Sequence, residues 1–312
     1  MFRTLIVYKG VYGSTEEIAR KLGMILGPSR CCTPEEFRNE YREFEFIIMG
    51  SGVYRGKLHP EITDFIRDNP WIAEKPVALF SVSLSMEDGA RALREAEELM
   101  GDPLISGCLG GRMILDELSE EDLGELRRFS ALTGMPLKDT DLTSTEEVIE
   151  FGLELKDVRD SLMKDMGDEE LRKYVEEFLR SHNTCTLATC HGSWPRATPI
   201  EYTYHDGCLY LISEGGEKFA GLLMNGRVSV AVYEDYTSMN NLAGMQLTGS
   251  AEIVHGRDDM AGVLALKGLG TDLIDKLPVD LNIIKVTISR VEFLYSRFRD
   301  EGFHVRQTLQ FK

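Results

Sequence analysis

The first half of the chain contains short runs of nearly continuous apolar residues, and these restrict its fold more than any other feature. The runs are Thr4–Lys9, Phe46–Gly50, Val77–Val82 and Leu104–Gly110, with a weaker one at Ser29–Cys32. A strand with one face in water alternates apolar and polar residues, whereas a parallel strand covered on both faces is apolar throughout. The runs therefore predict a parallel sheet with helices on both faces.

Amphipathic stretches separate these runs and predict the helices. They are Ser14–Leu26, Pro60–Asp68, Glu87–Met100 and Ser119–Thr133, and a last helix begins near Ser144. At Ser144 the sequence Ser-Thr-Glu-Glu supplies an N-cap followed by acids in the first turn. Repeated strand–helix units predict an open, doubly wound α/β sheet.

The pattern changes after about Met166. A predicted helix at Asp168–Ser181 is followed by short strands with hairpin turns. The predicted strands are Thr184–Cys190, Ala197–Tyr204, Cys208–Ser213, Val228–Tyr233, Gln246–Val254 and Ile284–Tyr295, with short helices at Glu217–Met224 and Asp258–Leu269. We therefore expect an α/β domain over residues 1–164 and a mainly-β domain, a small barrel, over residues 165–312.

The charge of the chain excludes several classes of partner. With 52 Asp and Glu against 35 Lys and Arg, the net charge is -17. An acidic surface repels phosphate backbones and anionic lipid headgroups, so neither a nucleic acid nor a membrane is an expected partner. The N-terminus does not resemble a signal peptide, and no run approaches the roughly 20 apolar residues of a membrane span. A cytoplasmic protein is expected. The cysteines and histidines lack metal-ligand spacing, so no metal site is predicted.

A candidate phosphate-binding loop follows the first apolar run. Tyr12, Gly13, Ser14 and Thr15 lie between the predicted strand and the helix after it. A loop in this position points backbone N–H groups and the positive end of a helix at a ligand, which favours a phosphate. A tight turn with Ser14 as its N-cap explains the same residues, and this loop alone leaves both interpretations open.

Two further loops follow neighbouring strands and favour the binding interpretation. After the run ending at Gly50 come Ser51, Gly52, Val53 and Tyr54, and Ser83 follows the third run. Strand ends in a doubly wound sheet converge on one crevice at the switch point. Small residues, N–H groups and one aromatic side chain suit the flat ring of a flavin, with Tyr54 as the expected stacking residue.

The residues from Thr4 to about Asp160 resemble the flavodoxin family. Tyr12–Glu16 is similar to that family's phosphate loop, and Gly50–His59 resembles the second loop of flavodoxin-type, quinone-dependent protoporphyrinogen oxidases. The resemblance implies bound FMN. The segment Leu115–Arg128 is strongly acidic, whereas those oxidases carry a basic, membrane-facing insertion there. The resemblance therefore implies a bound flavin, but it does not imply a porphyrinogen substrate or a membrane quinone.

The second half, from about Leu171 to Arg297, resembles the FMN-binding split barrels related to pyridoxamine 5′-phosphate oxidase. The most specific stretch is Gly207–Lys218, followed by Asn225–Ser229. The resemblance implies that Arg196 and Lys218 bind the FMN phosphate. It places three further residues in the same site, namely Ala197, Thr198 and Ser213. It also implies a homodimer formed through the barrel.

Two departures separate this chain from true pyridoxamine-phosphate oxidases. Glu201 occupies the position of a second basic residue, and the C-terminal Gly302–Lys312 lacks the family's substrate-gripping tail. FMN, two per chain, is the first expectation. Relatives of this barrel also hold deazaflavin or haem, so those groups are alternatives in the barrel.

Three functions remain open at this stage. The first is an oxidoreductase that passes electrons from a soluble donor through the barrel flavin and the flavodoxin-like flavin. The second is an acidic electron carrier that docks a redox protein and has no small-molecule substrate. The third is a flavoprotein that handles haem or porphyrin. No residue is predicted to act as a nucleophile.

Overall fold

The computed structural model describes residues 2–134, 136–270, 272 and 276–311. The chain divides into two compact units, Met1–Met163 (unit 1) and Lys164–Lys312 (unit 2). None of the helices formed by the described residues is long and apolar enough to cross a membrane.

Unit 1 is built on a parallel sheet. Its strands are β1 Thr4–Lys9, β2 Ser29–Cys32, β3 Phe46–Tyr54, β4 Lys57–Leu58, β5 Val77–Ser83, β6 Ile105–Gly110, β7 Arg112–Met113 and β8 Thr140–Asp141. The helices are α1 Ser14–Ile25, α2 Pro60–Asp68, α3 Met86–Met100, α4 Glu120–Thr133 and α5 Thr145–Ser161. The order in the sheet is β2-β1-β3-β5-β6. Chain order reverses between β1 and β3, so the loops after these strands flank the switch-point crevice.

The sheet is buried on both faces, as the continuous apolar runs predicted. Leu5 and Val7 of β1 belong to the core on one face, and Ile6 and Tyr8 belong to the core on the other. Because successive side chains of a strand point to opposite faces, both faces need apolar residues here. The predicted doubly wound fold is confirmed.

Two strands of unit 1 are longer than predicted: β5 by one residue, to Ser83, and β3 by four, to Tyr54. The prediction ended β3 at Gly50, but it continues to Tyr54 because Val53 and Tyr54 pair with Leu58 and Lys57 in an antiparallel hairpin. The residues predicted as the second candidate loop, Ser51 to Tyr54, are therefore strand residues: Ser51 and Gly52 pair with Ser81 and Val82 of β5, and the chain turns only after Tyr54.

A buried arginine fixes the start of β1 to the last helix of the unit. The Arg159 side chain, on α5, is 2% exposed and donates to Leu26 O and, at 2.7 Å, to Asp160 Oδ1. It also reaches Gly27 O and Thr4 Oγ1, both at 3.5 Å. Arg159 therefore supplies hydrogen-bond donors to several carbonyl and hydroxyl oxygens just before the chain enters β2.

Unit 2 is an antiparallel sheet with a helix before it. Its elements are α6 Asp168–Ser181, β9 Thr184–His191, β10 Trp194–Glu201, β11 Thr203–His205, β12 Cys208–Ser213, α7 Lys218–Met224, β13 Arg227–Tyr233, β14 Ala243–Val254, α8 Arg257–Leu266, β15 Asn282–Tyr295 and β16 Arg306–Gln310. The order is β10-β9-β13-β14-β15-β12-β11, with β16 beside β15. β10 and β12 also approach each other, so the sheet curls into the predicted split barrel.

Two details of unit 2 differ from the sequence prediction. The predicted strand Ala197–Tyr204 is two strands, β10 and β11. It breaks at Tyr202, whose ring is 2% exposed and whose hydroxyl donates to Leu179 O at 2.9 Å. Strand β16 was not predicted, and it adds to the edge of β15 by pairing Leu309 with Val291.

Candidate functional sites

The candidate loops of unit 1 enclose a cavity of about 700 Å³ at the carboxyl ends of the parallel strands. Of the predicted site residues, it is lined by Tyr12, Ser14, Thr15, Gly52, Val53, Tyr54 and Ser83. Gly13 and Ser51 are not among the lining residues; Ser51 is buried and Gly13 is exposed. The volume is typical of a cofactor pocket.

The first loop has the geometry of an anion cradle at the start of α1. Gly13, with φ of 84°, is the N-cap, and Ser14 and Thr15 begin the helix as buried residues. Because a glycine cap has no side chain, the N–H groups of the first turn remain available to a ligand. A Cβ on Gly10 would lie 2.6 Å from Thr15 Oγ1, so glycine lets the loop fold closely over Thr15.

Tyr54 connects the first two loops. Its hydroxyl accepts a hydrogen bond from Val11 N at 2.7 Å, and its ring meets His59 edge-to-face at 5.6 Å. Burial raises the pKa of the Tyr54 hydroxyl, so the phenol stays protonated and keeps a proton to donate. Ser51 is 1% exposed, and its hydroxyl accepts from His59 N at 2.8 Å and donates to Gly52 O. Ser51 shapes the second loop from behind.

The acidic helix α4 covers this cavity. Asp122 accepts a hydrogen bond from the Tyr12 hydroxyl, and Glu125 forms an ion pair with Arg55 at 2.5 Å. Leu118 and Leu126 add an apolar surface. The acidic sequence of this segment indicated only a departure from a related family, and its position over the cavity was not predicted.

In unit 2 the predicted phosphate-binding residues lie on the hairpin of β9 and β10. Arg196 pairs in register with Thr189, and Thr198 pairs with Leu187. Since strand residues alternate between faces, Arg196, Thr198 and Thr189 share one face, and Ala197 lies on the other. Arg196 forms an ion pair with Glu217.

Lys218 stands beside Arg196 at the start of α7. It is 7% exposed, and its Nζ donates to Gly215 O at 2.5 Å. Burial lowers the pKa of the Lys218 ammonium, and the Arg196 guanidinium lowers it further. Two neighbouring cations, one of them buried, provide a site that a phosphate dianion would stabilise.

Two hydroxyls near these cations are unsatisfied. Thr189 Oγ1 and Thr198 Oγ1 are buried and have no hydrogen-bond partner among the described residues. A buried polar group without a partner costs about 1–3 kcal/mol. Thr198 is only half-buried as a residue, so its hydroxyl can meet a ligand, whereas Thr189 lies under α7 at Gly221. A phosphate oxygen at Thr198 would remove one of these costs, so these residues fit an FMN phosphate.

A second cavity, of about 900 Å³, adjoins Lys218 through Gly215, whose carbonyl oxygen accepts a hydrogen bond from Lys218 Nζ. Ser213 and Gly215 line it, and the Ser213 hydroxyl donates to Gly215 O at 3.0 Å and accepts from Gly215 N at 3.2 Å. Ser213 therefore shapes the turn that leads to Lys218. Glu201 and Lys267 also line the cavity and form an ion pair at 3.1 Å.

Sequence reasoning missed Thr189, although a signal was present. The turn at Gly192 joins His191 to Trp194, and pairing these two residues sets Thr189 opposite Arg196. Lys267 had no comparable signal, because its ion pair with Glu201 joins residues 66 positions apart.

Two family models match the chain. Residues 5–134 match a flavodoxin domain model, and residues 171–295 match the model described as pyridoxamine 5′-phosphate oxidase. No curated protein matches the chain. Both matches support flavin binding, and they confirm the resemblances found in the sequence.

Solved structures similar to this chain include a FAD-binding protein from Mesorhizobium loti, with 20% identity, a TM-score of 0.32 and coverage of 38% of this chain and 89% of that one. The haem storage protein HutZ from Vibrio cholerae is 19% identical, with a TM-score of 0.33, and the match covers 38% of this chain and 90% of HutZ. ChuZ from Campylobacter jejuni is 16% identical, with a TM-score of 0.38, and the match covers 55% of this chain and 73% of ChuZ. At these scores the likenesses carry no argument about function.

Proposed function

We propose that this chain, which consists of a flavodoxin-like domain followed by a pyridoxamine 5′-phosphate oxidase-like domain, is an oxidoreductase with one FMN in each. Electrons would pass from a soluble donor to a flavin held in the barrel and then to a flavin held in unit 1. The observation that carries this proposal is that each unit has its own anion cradle beside its own cavity.

The residues of each cradle would hold and orient the cofactor. In unit 1 the N–H groups after Gly13, with Ser14 and Thr15, would bind the phosphate. In unit 2 Arg196, Thr198 and Lys218 would do so. FMN supplies the redox chemistry, because it accepts a hydride and releases electrons singly or in pairs. Helix α4 would shield the unit 1 ring from water through its contacts with Tyr12 and Arg55.

The barrel site differs from that of a true pyridoxamine-phosphate oxidase. Glu201 exposes a carboxylate in the cavity, and a carboxylate repels a phosphorylated substrate. We therefore place the donor among soluble reductants whose reacting ring is remote from any phosphate, such as a reduced nicotinamide, rather than among vitamin B6 compounds that carry the phosphate on the reacting ring.

A homodimer through the barrel is part of this proposal. β10 is an edge strand whose Pro195 and Pro199 disfavour addition of another strand. Its exposed face also carries Ala197, which pairs with Ala188 of β9. Small uncharged residues on a sheet face suit contact with a second copy of the chain. We therefore expect analytical sedimentation to show a species of twice the 35.2 kDa chain mass, and a monomer alone would contradict the dimer.

Anaerobic reduction tests the electron route. The FMN-loaded chain is mixed with NADH or NADPH, and flavin absorbance is followed before and after adding a one-electron acceptor. We expect both flavins to bleach and the acceptor to be reduced. A Lys218→Met variant that has lost the barrel flavin should keep a unit 1 flavin that dithionite reduces and the nicotinamide does not.

The net charge of -17 favours a second candidate, an electron carrier that docks a basic redox protein. If neither nicotinamide reduces either flavin while a reduced protein partner does, the carrier function replaces the enzyme. A Soret band with haemin and no flavin in unit 2 would instead support haem handling.

A further inference from the structure

The cavity of unit 2 contains an ion pair whose partners are unequally covered. Glu201 and Lys267 meet at 3.1 Å, but the Lys267 side chain is 10% exposed and the Glu201 side chain is 65% exposed. The cavity therefore presents the carboxylate, and the ammonium lies largely behind it.

This arrangement selects ligands by charge. A carboxylate has two oxygens with about four lone-pair sites, so Glu201 can keep Lys267 and still bind a second cation. An anionic group would meet Glu201 first and would reach Lys267 only by displacing it. Glu214 adds a second carboxylate to the same cavity.

Among the described residues that line the cavity, Arg180 is the lysine or arginine other than Lys267, and it is already paired. Arg180 forms an ion pair with Glu176 at 2.7 Å, and its guanidinium lies 5.3 Å from the centre of the Tyr204 ring. The wall also includes apolar side chains, among them Leu179 and Ile212. The cavity thus combines an accessible carboxylate with apolar surface.

We propose that this cavity binds a small molecule that carries a protonated amine on an apolar or aromatic body, and that Glu201 binds the amine. The cavity shares Ser213 and Gly215 with the turn before Lys218. The inference therefore rests on the proposed function, since it names the substrate class that would lie beside the barrel flavin.

Calorimetric titration of the full chain with two near-isosteric probes tests the proposal. The probes are 2-phenylethylamine and 3-phenylpropionate, at about pH 7, where one is a cation and the other an anion. We expect the amine to bind at least about tenfold more tightly, as a charge-assisted hydrogen bond predicts. Glu201→Gln should lower the amine affinity about tenfold, and Lys267→Met should not weaken it.

Glu252→Gln is a matched control. Its carboxylate is 64% exposed and pairs with Lys285 at 2.9 Å, but it lies at a different cavity. This variant should bind the amine as the unmodified chain does. Equal affinity for the two probes, or an amine affinity that Glu201→Gln leaves unchanged, overturns the proposal. So does a phenylpropionate affinity that Lys267→Met abolishes.

Flavin content is measured on every variant, so the two proposals fail separately. Normal flavin without amine binding removes only this inference. Absence of flavin from the unmodified chain removes the proposed function, and the amine titration of the flavin-free chain still decides the charge preference of the cavity.

Discussion

Replacement of Lys218 by methionine is expected to lower the FMN affinity of unit 2 about hundredfold, because hydrogen bonds to charged groups are each worth about 1.5–3 kcal/mol. The ammonium is buried beside Arg196, and this neighbour and burial both lower the Lys218 pKa. A bound phosphate would relieve this repulsion. Loss of the Lys218 charge should therefore weaken the FMN complex more than it destabilises the flavin-free protein. Methionine keeps the length of the side chain and suits a position that is 7% exposed. FMN in unit 1 should be unaffected.

A second variant separates ligand binding from folding. Thr198→Val removes a hydroxyl that is buried without a partner among the described residues. The flavin-free variant should therefore be at least as stable as the unmodified chain, while its FMN affinity falls about tenfold. Lys173→Met, at an exposed position on α6, is the control for charge alone. Unchanged FMN affinity in both Lys218→Met and Thr198→Val would show that the phosphate binds elsewhere.

Arg159→Met is expected to lower the free energy of unfolding of unit 1 by about 3 kcal/mol, the usual cost of breaking a buried charged network. The guanidinium is 2% exposed and contacts Leu26 O, Gly27 O and the Asp160 carboxylate. Methionine fills part of the volume but donates no hydrogen bond. Gly27 O therefore loses this partner, Leu26 O keeps the 3.4 Å hydrogen bond from Thr4 Oγ1, and Asp160 keeps only Lys156 of its two cations.

The two tryptophans allow this loss to be assigned to one unit. Trp71 belongs to unit 1, and Trp194 belongs to unit 2 and is 73% exposed. In a Trp194→Phe background, urea unfolding followed by tryptophan fluorescence reports unit 1. Arg20→Met is the control, because Arg20 forms only an exposed pair with Glu16 on α1, and exposed ion pairs contribute little to stability. Equal effects of Arg159→Met and Arg20→Met would mean that the buried contacts contribute little.

Much of the fold could be predicted because local patterns determine it. β1 begins and ends at Thr4 and Lys9 as predicted, since the whole apolar run is buried on both faces. Similarly, Pro60 starts α2 and fixes its first turn. The division of Ala197–Tyr204 was not predictable, because Tyr202 leaves the strand to reach Leu179 on a different element.

The candidate sites were predictable where they consist of consecutive loop residues. Ser14 and Thr15 follow a strand directly, so their position at the cavity follows from chain order. Contacts between distant residues have no such signal. Tyr12 meets Asp122 across 110 residues, which is why the cover provided by α4 was missed. The acidic pattern of α4 indicated an exposed helix and not the cavity beneath it.

The central claim is that each unit holds one FMN, and the amount of FMN per chain tests it most directly. The purified chain is saturated with FMN, freed of excess, and heated to release the cofactor, which is identified by mass and counted against protein. The account predicts two FMN per chain, falling to one in Lys218→Met. One FMN that Lys218→Met does not remove, or no FMN at all, would contradict it.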